Sequence, residues 1–319
     1  MQGIVISESM DAPAVALLAR EFDVDYRPAL FEDEAALARA LARADAWIVR
    51  NRTQVRGAPL AAAQRLRVVG RLGVGLDNID LEACRARRIE VIPATGANAE
   101  SVAEYVVAMS MVLLRGGAYL STSAVAAGRW PRQMLSQGRE VAGKTIGLVG
   151  FGSIGRATAL KVRAMGMRVL AYDPVVPADS PAWGEHGAER RELDDLLAAS
   201  DVVSLHQPLA EDTRGLIGED RIARMKPGAV LVNSARGGIV DEAALAAALR
   251  AGRLGGAGVD VLGREPPPAD HPLLAADVPN LIVTPHTAWA SREARQRVVE
   301  EIARNVEAFG AGEARNRVV

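Results

Sequence analysis

TIGLVGFGSIG, Thr145–Gly155, is the stretch whose reading decides the fold. Thr145–Val149 is an apolar run with the composition of a buried strand, and Gly150, Gly152 and Gly155 follow it in G-x-G-x-x-G spacing. A helical stretch, Ala157 to Met165, comes next. A second strand, Arg168–Tyr172, then runs into Asp173, eighteen residues after the last glycine. Each part has a physical task. Gly150 permits a tight turn, Gly152 lets backbone approach a pyrophosphate, and Gly155 lets helix and strand pack closely. The helix N-terminus supplies N–H donors and a partial positive charge for phosphates, and Ser153 and Ile154 are expected among the cofactor-binding residues. Asp173 accepts hydrogen bonds from both ribose hydroxyls. The stretch predicts a dinucleotide-binding βαβ unit.

Asp173 also selects the cofactor. A carboxylate where a 2′-phosphate would sit repels it, and the next residue is Pro174 rather than a basic one. Unit charges about 4 Å apart interact by about 4 kcal/mol at an effective dielectric of about 20. A severalfold discount for solvent still leaves about a tenfold preference. The expected cofactor is NAD.

Outward from this unit, strand-like and helical stretches alternate along the whole chain. Before it, strands are expected at Ile4–Ile6, Trp47–Val49, Val68–Val69 and Glu90–Ile92, with helices at Ala14–Arg20, Glu34–Ala42 and Leu81–Arg87. Asp11 followed by Pro13 reads as a helix start, and Asp80 as a cap. A long helical pattern runs from Asn98 to about Ala127, with Ser101 and Glu104 spaced as a capping box. Its apolar content exceeds what one amphipathic face needs, so part of it is expected to pack against a domain or subunit. After it, strands are expected at Val202–Leu205, Val230–Val232, Gly256–Val259 and Leu281–Val283, with a last helix from Ser291 to about Phe309. The fold class is α/β, with parallel sheets in two Rossmann-like or flavodoxin-like domains.

Composition removes other classes. The 319 residues carry a formal net charge of −1, with 49% hydrophobic and 24% charged residues, so no basic footprint for nucleic acid is present. No apolar run is long enough to span a bilayer and no secretory signal is visible, so the cytoplasm is the expected compartment. The single cysteine, Cys84, excludes an internal disulfide and any multi-cysteine metal site, and no metal is expected. Only Lys144, Lys161 and Lys226 among the 38 basic residues are lysines, so arginine is the chain's default cation.

Four polar signals follow strands in the second half. Arg236 lies after one strand in VNSARGGIVDE, Asp260 ends the next in GAGVDV, Glu265 follows in EPPP, and His286 comes after Leu281–Val283 in TPHTAW. In an open parallel sheet the strand C-termini converge on the ligand crevice. An Arg, a carboxylate and a His there suit reduction of a 2-keto acid. The Arg holds the substrate carboxylate, the His gives a proton to the carbonyl oxygen, and the carboxylate keeps the imidazole oriented and charged. His206, in LHQPL, is expected to line the cofactor cleft, whereas His186 and His271 read as loop residues without chemistry.

With these motifs in order, together with RLGVGLDNIDLEA (Arg71–Ala83), SVAEYVVAM and GKTIGLVGFGSIGRA, the chain resembles the D-isomer-specific 2-hydroxyacid dehydrogenase family over essentially its whole length. The resemblance implies a substrate domain from both chain ends, 1–98 plus 289–319, with an NAD domain, 99–288, inserted between. It implies a homodimer through residues around Ser101–Trp130. It implies His286 as acid/base, Glu265 as its partner, Arg236 as substrate anchor, and Asp260 on the nicotinamide carboxamide. Backbone amides of Val74 and Gly75 are implied on the substrate carboxylate. Pro208, Ser234, Ala235 and Ala288 complete the expected cofactor set.

For the substrate, VRNRTQV (Val49–Val55) resembles the R-S-x-T segment of phosphoglycerate dehydrogenases and a similar segment in sulfolactate dehydrogenases. Those enzymes take a three-carbon hydroxy acid with a phosphate or sulfonate at the far carbon, which Arg50 and Arg52 would match. HTAWASREARQR (His286–Arg297) resembles glycerate dehydrogenases (hydroxypyruvate reductases) instead. The commoner family pattern there is nearer HIGG or HTAG, and Trp289 would narrow the site. No regulatory segment is expected after residue 319. A binding protein of another class, an NAD-sensing corepressor, retains the same fold. The lack of appended interaction segments favours an enzyme, and Glu265 argues against formate oxidation, whose enzymes carry Gln there.

Overall fold

The computed structural model describes residues 1–313 and 316–318. The chain runs β1 (Gly3–Ile6), α1 (Ala12–Leu18), β2 (Asp23–Tyr26), α2 (Glu34–Leu41), β3 (Ala46–Val49), α3 (Gly57–Ala62), β4 (Val68–Arg71), α4 (Leu81–Ala86) and β5 (Glu90–Pro93). It continues with α5 (Ala99–Leu114), α6 (Thr122–Ala126), β6 (Thr145–Val149), α7 (Ser153–Ala164), β7 (Arg168–Tyr172), α8 (Ala182–Glu185) and β8 (Ala188–Arg190). Then come α9 (Leu193–Ala199), β9 (Val202–Leu205), α10 (Glu219–Arg224), β10 (Ala229–Asn233), α11 (Glu242–Arg250), β11 (Leu254–Val259), β12 (Leu281–Val283) and α12 (Arg292–Gly310). Two compact units result: Met1–Asn98 with the chain from Ala290 onward, and Ala99–Trp289.

The first unit is a parallel sheet in the order β2-β1-β3-β4-β5. Its inner strands β1, β3 and β4 are apolar on both faces, as a sheet covered twice requires, whereas the edge strand β2 is not. Alternation along each strand sorts the side chains. Ile4, Ile6 and Ile48 pack with Leu18 of α1 and with Val298, Ile302 and Val306 of α12. Val5, Trp47 and Val49 point the other way and pack with Leu37, Leu60 and Cys84 from α2, α3 and α4. Gly70 admits α12, since a Cβ there would stand 2.9 Å from Cγ2 of Ile302. Pro13 opens α1 behind Asp11, and Asp80 caps α4 by accepting from the Ala83 N–H at 2.9 Å.

The second unit is a parallel sheet in the order β12-β11-β10-β9-β6-β7-β8. Val106 and Leu113 of α5 and Ala159 and Val162 of α7 cover Ile146, Leu148, Val202 and Val230 on one face. Leu196 and Leu197 of α9 and Leu245 and Leu249 of α11 cover Val149, Val203, Leu205 and Leu231 on the other. Strand order reverses between β6 and β9, and such a switch point opens a ligand crevice at the strand C-termini.

Three local expectations are corrected. The helical pattern from Asn98 to about Ala127 is broken: α5 ends at Leu114, and Gly116 and Gly117 adopt left-handed φ of 58° and 83° before α6 begins at Thr122. Ser101 and Glu104 form no capping box, because the helix already starts at Ala99 and both residues lie inside it. Helix α7 begins at Ser153 rather than Ala157, which puts Gly155 in its first turn. Among the described residues no helix is long and apolar enough to cross a membrane.

Candidate active site

Gly150 and Gly155 sit where backbone comes too close for a side chain. Gly150, at φ 104°, donates its N–H to the Tyr172 carbonyl at 2.7 Å, while His206 N–H bonds the Val149 carbonyl at 2.7 Å. A Cβ on Gly150 would stand 2.8 Å from the His206 carbonyl carbon, and one on Gly155 2.3 Å from the Gly150 oxygen. Around Gly152 the same test finds open space, on the side where α7 begins without a side-chain cap. The first-turn N–H groups at Ser153 and Ile154 therefore face a site suited to an anion. Asp173 ends β7 with its carboxylate fixed by the Phe151 N–H at 2.7 Å and the Val175 N–H at 2.9 Å. Each oxygen keeps a lone pair for a ribose hydroxyl.

Buried polar atoms without partners collect at the ends of the neighbouring strands: His206 Nε2 and Gln207 Oε1 after β9, and Ser234 Oγ after β10. Unsatisfied buried groups in such a place call for a ligand. Burial lowers the His206 pKa to about 4, so its ring is neutral at ordinary pH. Pro208 follows with its carbonyl taken by the Thr213 hydroxyl at 2.7 Å. These residues fit a dinucleotide lying across the switch point.

β10, β11 and β12 are parallel neighbours, so the turns that follow them open on one edge. Buried Asn233 shapes the turn after β10: its amide donates to the Arg236 carbonyl at 3.0 Å and its oxygen accepts from the Ala235 N–H at 3.1 Å. Asp260, 2% exposed, shapes the turn after β12. Its Oδ1 accepts from Thr284 Oγ1 at 2.5 Å and the Thr287 N–H at 2.8 Å, and its Oδ2 from the Ala288 N–H at 2.8 Å. Between them His286 takes a left-handed φ of 55°, which costs a non-glycine residue about 1–3 kcal/mol. Its Nδ1 meets Glu265 Oε2 at 2.8 Å, leaving Nε2 for chemistry. The Leu262 N–H holds Glu265 Oε1 at 3.0 Å.

Sequence reasoning missed two supports of this turn. Tyr105 of α5 lies 3.0 Å from Thr284 Oγ1. Since the Thr284 hydroxyl proton goes to Asp260, Tyr105 donates; burial pushes its pKa up to about 12, which keeps that proton in place. Trp289 turns its indole N–H onto the His286 carbonyl at 3.1 Å. Asp260 therefore spends most of its acceptors on the His286 turn, which is a larger part of its work than the sequence suggests.

In the first unit, Glu8 is buried at the end of β1 and accepts backbone N–H groups of Arg50, Asn51, Arg52 and Thr53 at 2.8–3.3 Å. Burial raises its pKa, but these donors, Thr53 foremost, outweigh that and lower it overall. Glu8, which no motif flagged, thus shapes the loop that carries both arginines. Arg52 points outward, its guanidinium 4.2 Å from the Phe31 ring centroid and 3.4 Å from Glu32. Arg50 is half-buried, and burial and then the Arg295 guanidinium lower its pKa against the opposing pull of Glu8 and Asp11. Val74 and Gly75 lie half-buried on the turn after β4.

A dinucleotide-type crevice at a sheet switch point, with a carboxylate-paired histidine at its edge, defines an NAD-dependent oxidoreductase acting on a CH–OH group. Residues 107–288 match the family model described as D-isomer specific 2-hydroxyacid dehydrogenase, NAD binding domain, and the chain belongs to that family. It is 52% identical over 299 residues to an (S)-sulfolactate dehydrogenase of Chromohalobacter salexigens, covering 93% of this chain and 95% of that one. It is 38% identical over 304 residues to a D-3-phosphoglycerate dehydrogenase of Archaeoglobus fulgidus, covering 95% of this chain but 56% of the longer relative. Among solved structures, the TT0316 protein from Thermus thermophilus matches with a TM-score of 0.86 at 34% identity, over 100% of both chains.

Proposed function

We propose that this dehydrogenase acts on a three-carbon 2-hydroxy acid whose third carbon carries an anion, with sulfolactate the foremost candidate. The 52% identity with a sulfolactate dehydrogenase, over nearly the full length of both chains, carries this reading. The stereochemical labels agree. Sulfur on C3 outranks the carboxyl group, so the (S) centre of sulfolactate has the same spatial arrangement as the (R) centres of D-lactate and D-3-phosphoglycerate. A phosphoglycerate or glycerate substrate is the second reading, supported by the 38% identical relative and by the glycerate-dehydrogenase-like segment after His286.

Bound NAD supplies the nicotinamide that takes or returns the hydride. The protein does the rest with charge and protons. Arg236, planar and permanently charged, suits a substrate carboxylate bidentately. His286 Nε2 accepts the hydroxyl proton in oxidation and gives it back in reduction, while Glu265 on Nδ1 fixes the ring and stabilises its charged form. Asp260 keeps one acceptor position for a carboxamide. Val74 and Gly75 amides and the Arg50–Arg52 loop are the first unit's candidate substrate ligands. Arg50 and Arg52 are the loop's candidate cations for a second anion, and of the two Arg52 already meets Phe31 and Glu32.

Two further features complete the reading. Tyr119, Leu120, Val125, Trp130 and Met134 expose large apolar side chains along one segment, Trp130 to 76%, which supports a homodimer through that segment. The cytoplasm is the proposed compartment.

Ranked kcat/KM with NADH for sulfopyruvate, phosphohydroxypyruvate, hydroxypyruvate, glyoxylate and pyruvate tests the substrate. The C3 anions should lead, and Arg50→Ala should raise KM for them about tenfold or more while changing pyruvate little, since remote contacts act mainly on binding. Equal turnover of pyruvate and the C3 anions would reject the anionic substrate.

A further inference from the structure

His271, which reads from the sequence as a loop residue without chemistry, is 6% exposed and carries a complete set of hydrogen bonds. Its Nδ1 accepts from the Leu273 N–H at 3.3 Å, so the ring proton sits on Nε2. That Nε2–H donates to Glu242 Oε2 at 2.8 Å. The other Glu242 oxygen, Oε1, accepts from the Gly263 N–H at 2.7 Å. Gly263 lies between Leu262, whose N–H holds Glu265 Oε1 at 3.0 Å, and Glu265 itself, whose Oε2 meets His286. A second constraint acts on the same two residues: a Cβ on Gly237 would stand 2.0 Å from the Leu262 oxygen and 2.5 Å from the Gly263 nitrogen. The turn just after Arg236 therefore rests directly on the Glu265 loop.

We propose that Glu242 and His271 are positioning residues for the dehydrogenase reaction, a buried brace that fixes the Leu262–Glu265 loop so that Glu265 meets His286. The inference rests on the reading of His286 as acid/base and Glu265 as its partner. Glu242 begins α11, and Asp241 anchors that helix start by capping the Ala243 and Ala244 N–H groups at 3.0 Å. The brace thus ties the Glu265 loop to a rigid element at one end. His271 fixes the second Glu242 oxygen, so the carboxylate cannot rotate away from Gly263. Without the pair, Gly263 loses its acceptor, and the loop beneath Glu265 is held only by the local Leu262 bond and the close contact with Gly237. A displacement of about 1 Å at a catalytic group can cost about 10²-fold in rate.

The test compares His271→Ala, His271→Gln, Glu242→Ala, Glu265→Gln and the double variant His271→Ala/Glu265→Gln, each with NADH and the best keto acid of the panel. His271→Ala and Glu242→Ala should lower kcat about tenfold or more with NADH binding intact. They should also move the alkaline limb of keto-acid reduction to lower pH, toward that of Glu265→Gln. His271→Gln, whose amide donates from nearly the same place as Nε2, should restore both. The double variant should show the Glu265→Gln limb with no further shift, because both changes act through one contact. A limb unmoved in folded His271→Ala and Glu242→Ala enzymes, a limb that moves as far in His271→Gln as in His271→Ala, or a fully additive double variant would overturn the brace. If Glu265→Gln alone leaves the limb in place, the underlying Glu265–His286 reading fails, and the brace with it.

Discussion

Nδ1 of His286 and Oε2 of Glu265 stand 2.8 Å apart across 21 positions of sequence, and neither residue belongs to a helix or strand. The pairing depends on two turns held from opposite sides. Asp260 holds the His286 turn, accepting two backbone N–H groups and the Thr284 hydroxyl, while its own carbonyl takes the His286 N–H at 2.8 Å. Glu242 and the close approach of Gly237 hold the other. Catalytic groups on loops keep their geometry only when buried polar atoms of this kind fix the backbone beneath them.

Cofactor choice should follow Asp173. Asp173→Asn keeps an acceptor but removes the charge, so the ratio of kcat/KM for NADH over NADPH should fall about tenfold, the discounted Coulomb term between a carboxylate and a 2′-phosphate. Wild-type enzyme that prefers NADPH would contradict the assignment.

Asp260→Asn should destabilise the protein and slow it together. One amide N–H of the asparagine would face a backbone N–H at 287 or 288, leaving a buried donor unsatisfied at a cost of about 1–3 kcal/mol. Urea unfolding gives the stability change, and kcat with NADH should drop as the left-handed His286 turn loosens. Stability and kcat both at wild-type values would show that the turn stands without this carboxylate.

His206 should make the fold acid-sensitive in a defined window. Its folded pKa, lowered by burial to about 4 from 6.5, means the unfolded chain binds more protons between those values. The contribution is therefore complete above about pH 6.5 and is lost as pH falls toward 4, amounting to about 3 kcal/mol at about 1.4 kcal/mol per unit. His206→Gln should lose that much less stability than wild type between pH 7 and pH 4 in denaturant titrations. Parallel losses would show that the ring titrates normally in the native state.

What is legible in the sequence is what local chemistry imposes. Gly150 and Gly155 announce themselves because close backbone excludes a side chain at each, and Gly152 because the space beside it is left open where α7 begins. Arg236, Asp260 and His286 stand out as polar residues close behind apolar strands, and Glu265 follows in the loop after Asp260. Strand β2, DVDY, gives no such signal, since an edge strand pairs on one side only and shows no continuous apolar run. The end of α5 is hard to place because the Gly116–Gly117 pair interrupts a pattern that is otherwise apolar throughout. The roles of Tyr105, Glu242 and His271 are not readable at all. Tyr105 reaches Thr284 across 179 positions and Glu242 reaches His271 across 29, so only the folded chain defines their partners.

The pH dependence of the two reaction directions, in wild type and Glu265→Gln, tests the acid/base assignment most directly. Reduction needs the His286 ring protonated, so kcat/KM for the keto acid should fall as pH rises. Oxidation needs the ring neutral, so kcat/KM for the hydroxy acid should fall as pH drops. Removing the Glu265 charge while keeping its shape should shift both limbs to lower pH, because the charged ring loses its neighbouring anion. Limbs that stay at the wild-type pH in Glu265→Gln would contradict the account: Glu265 would then not be the histidine's partner.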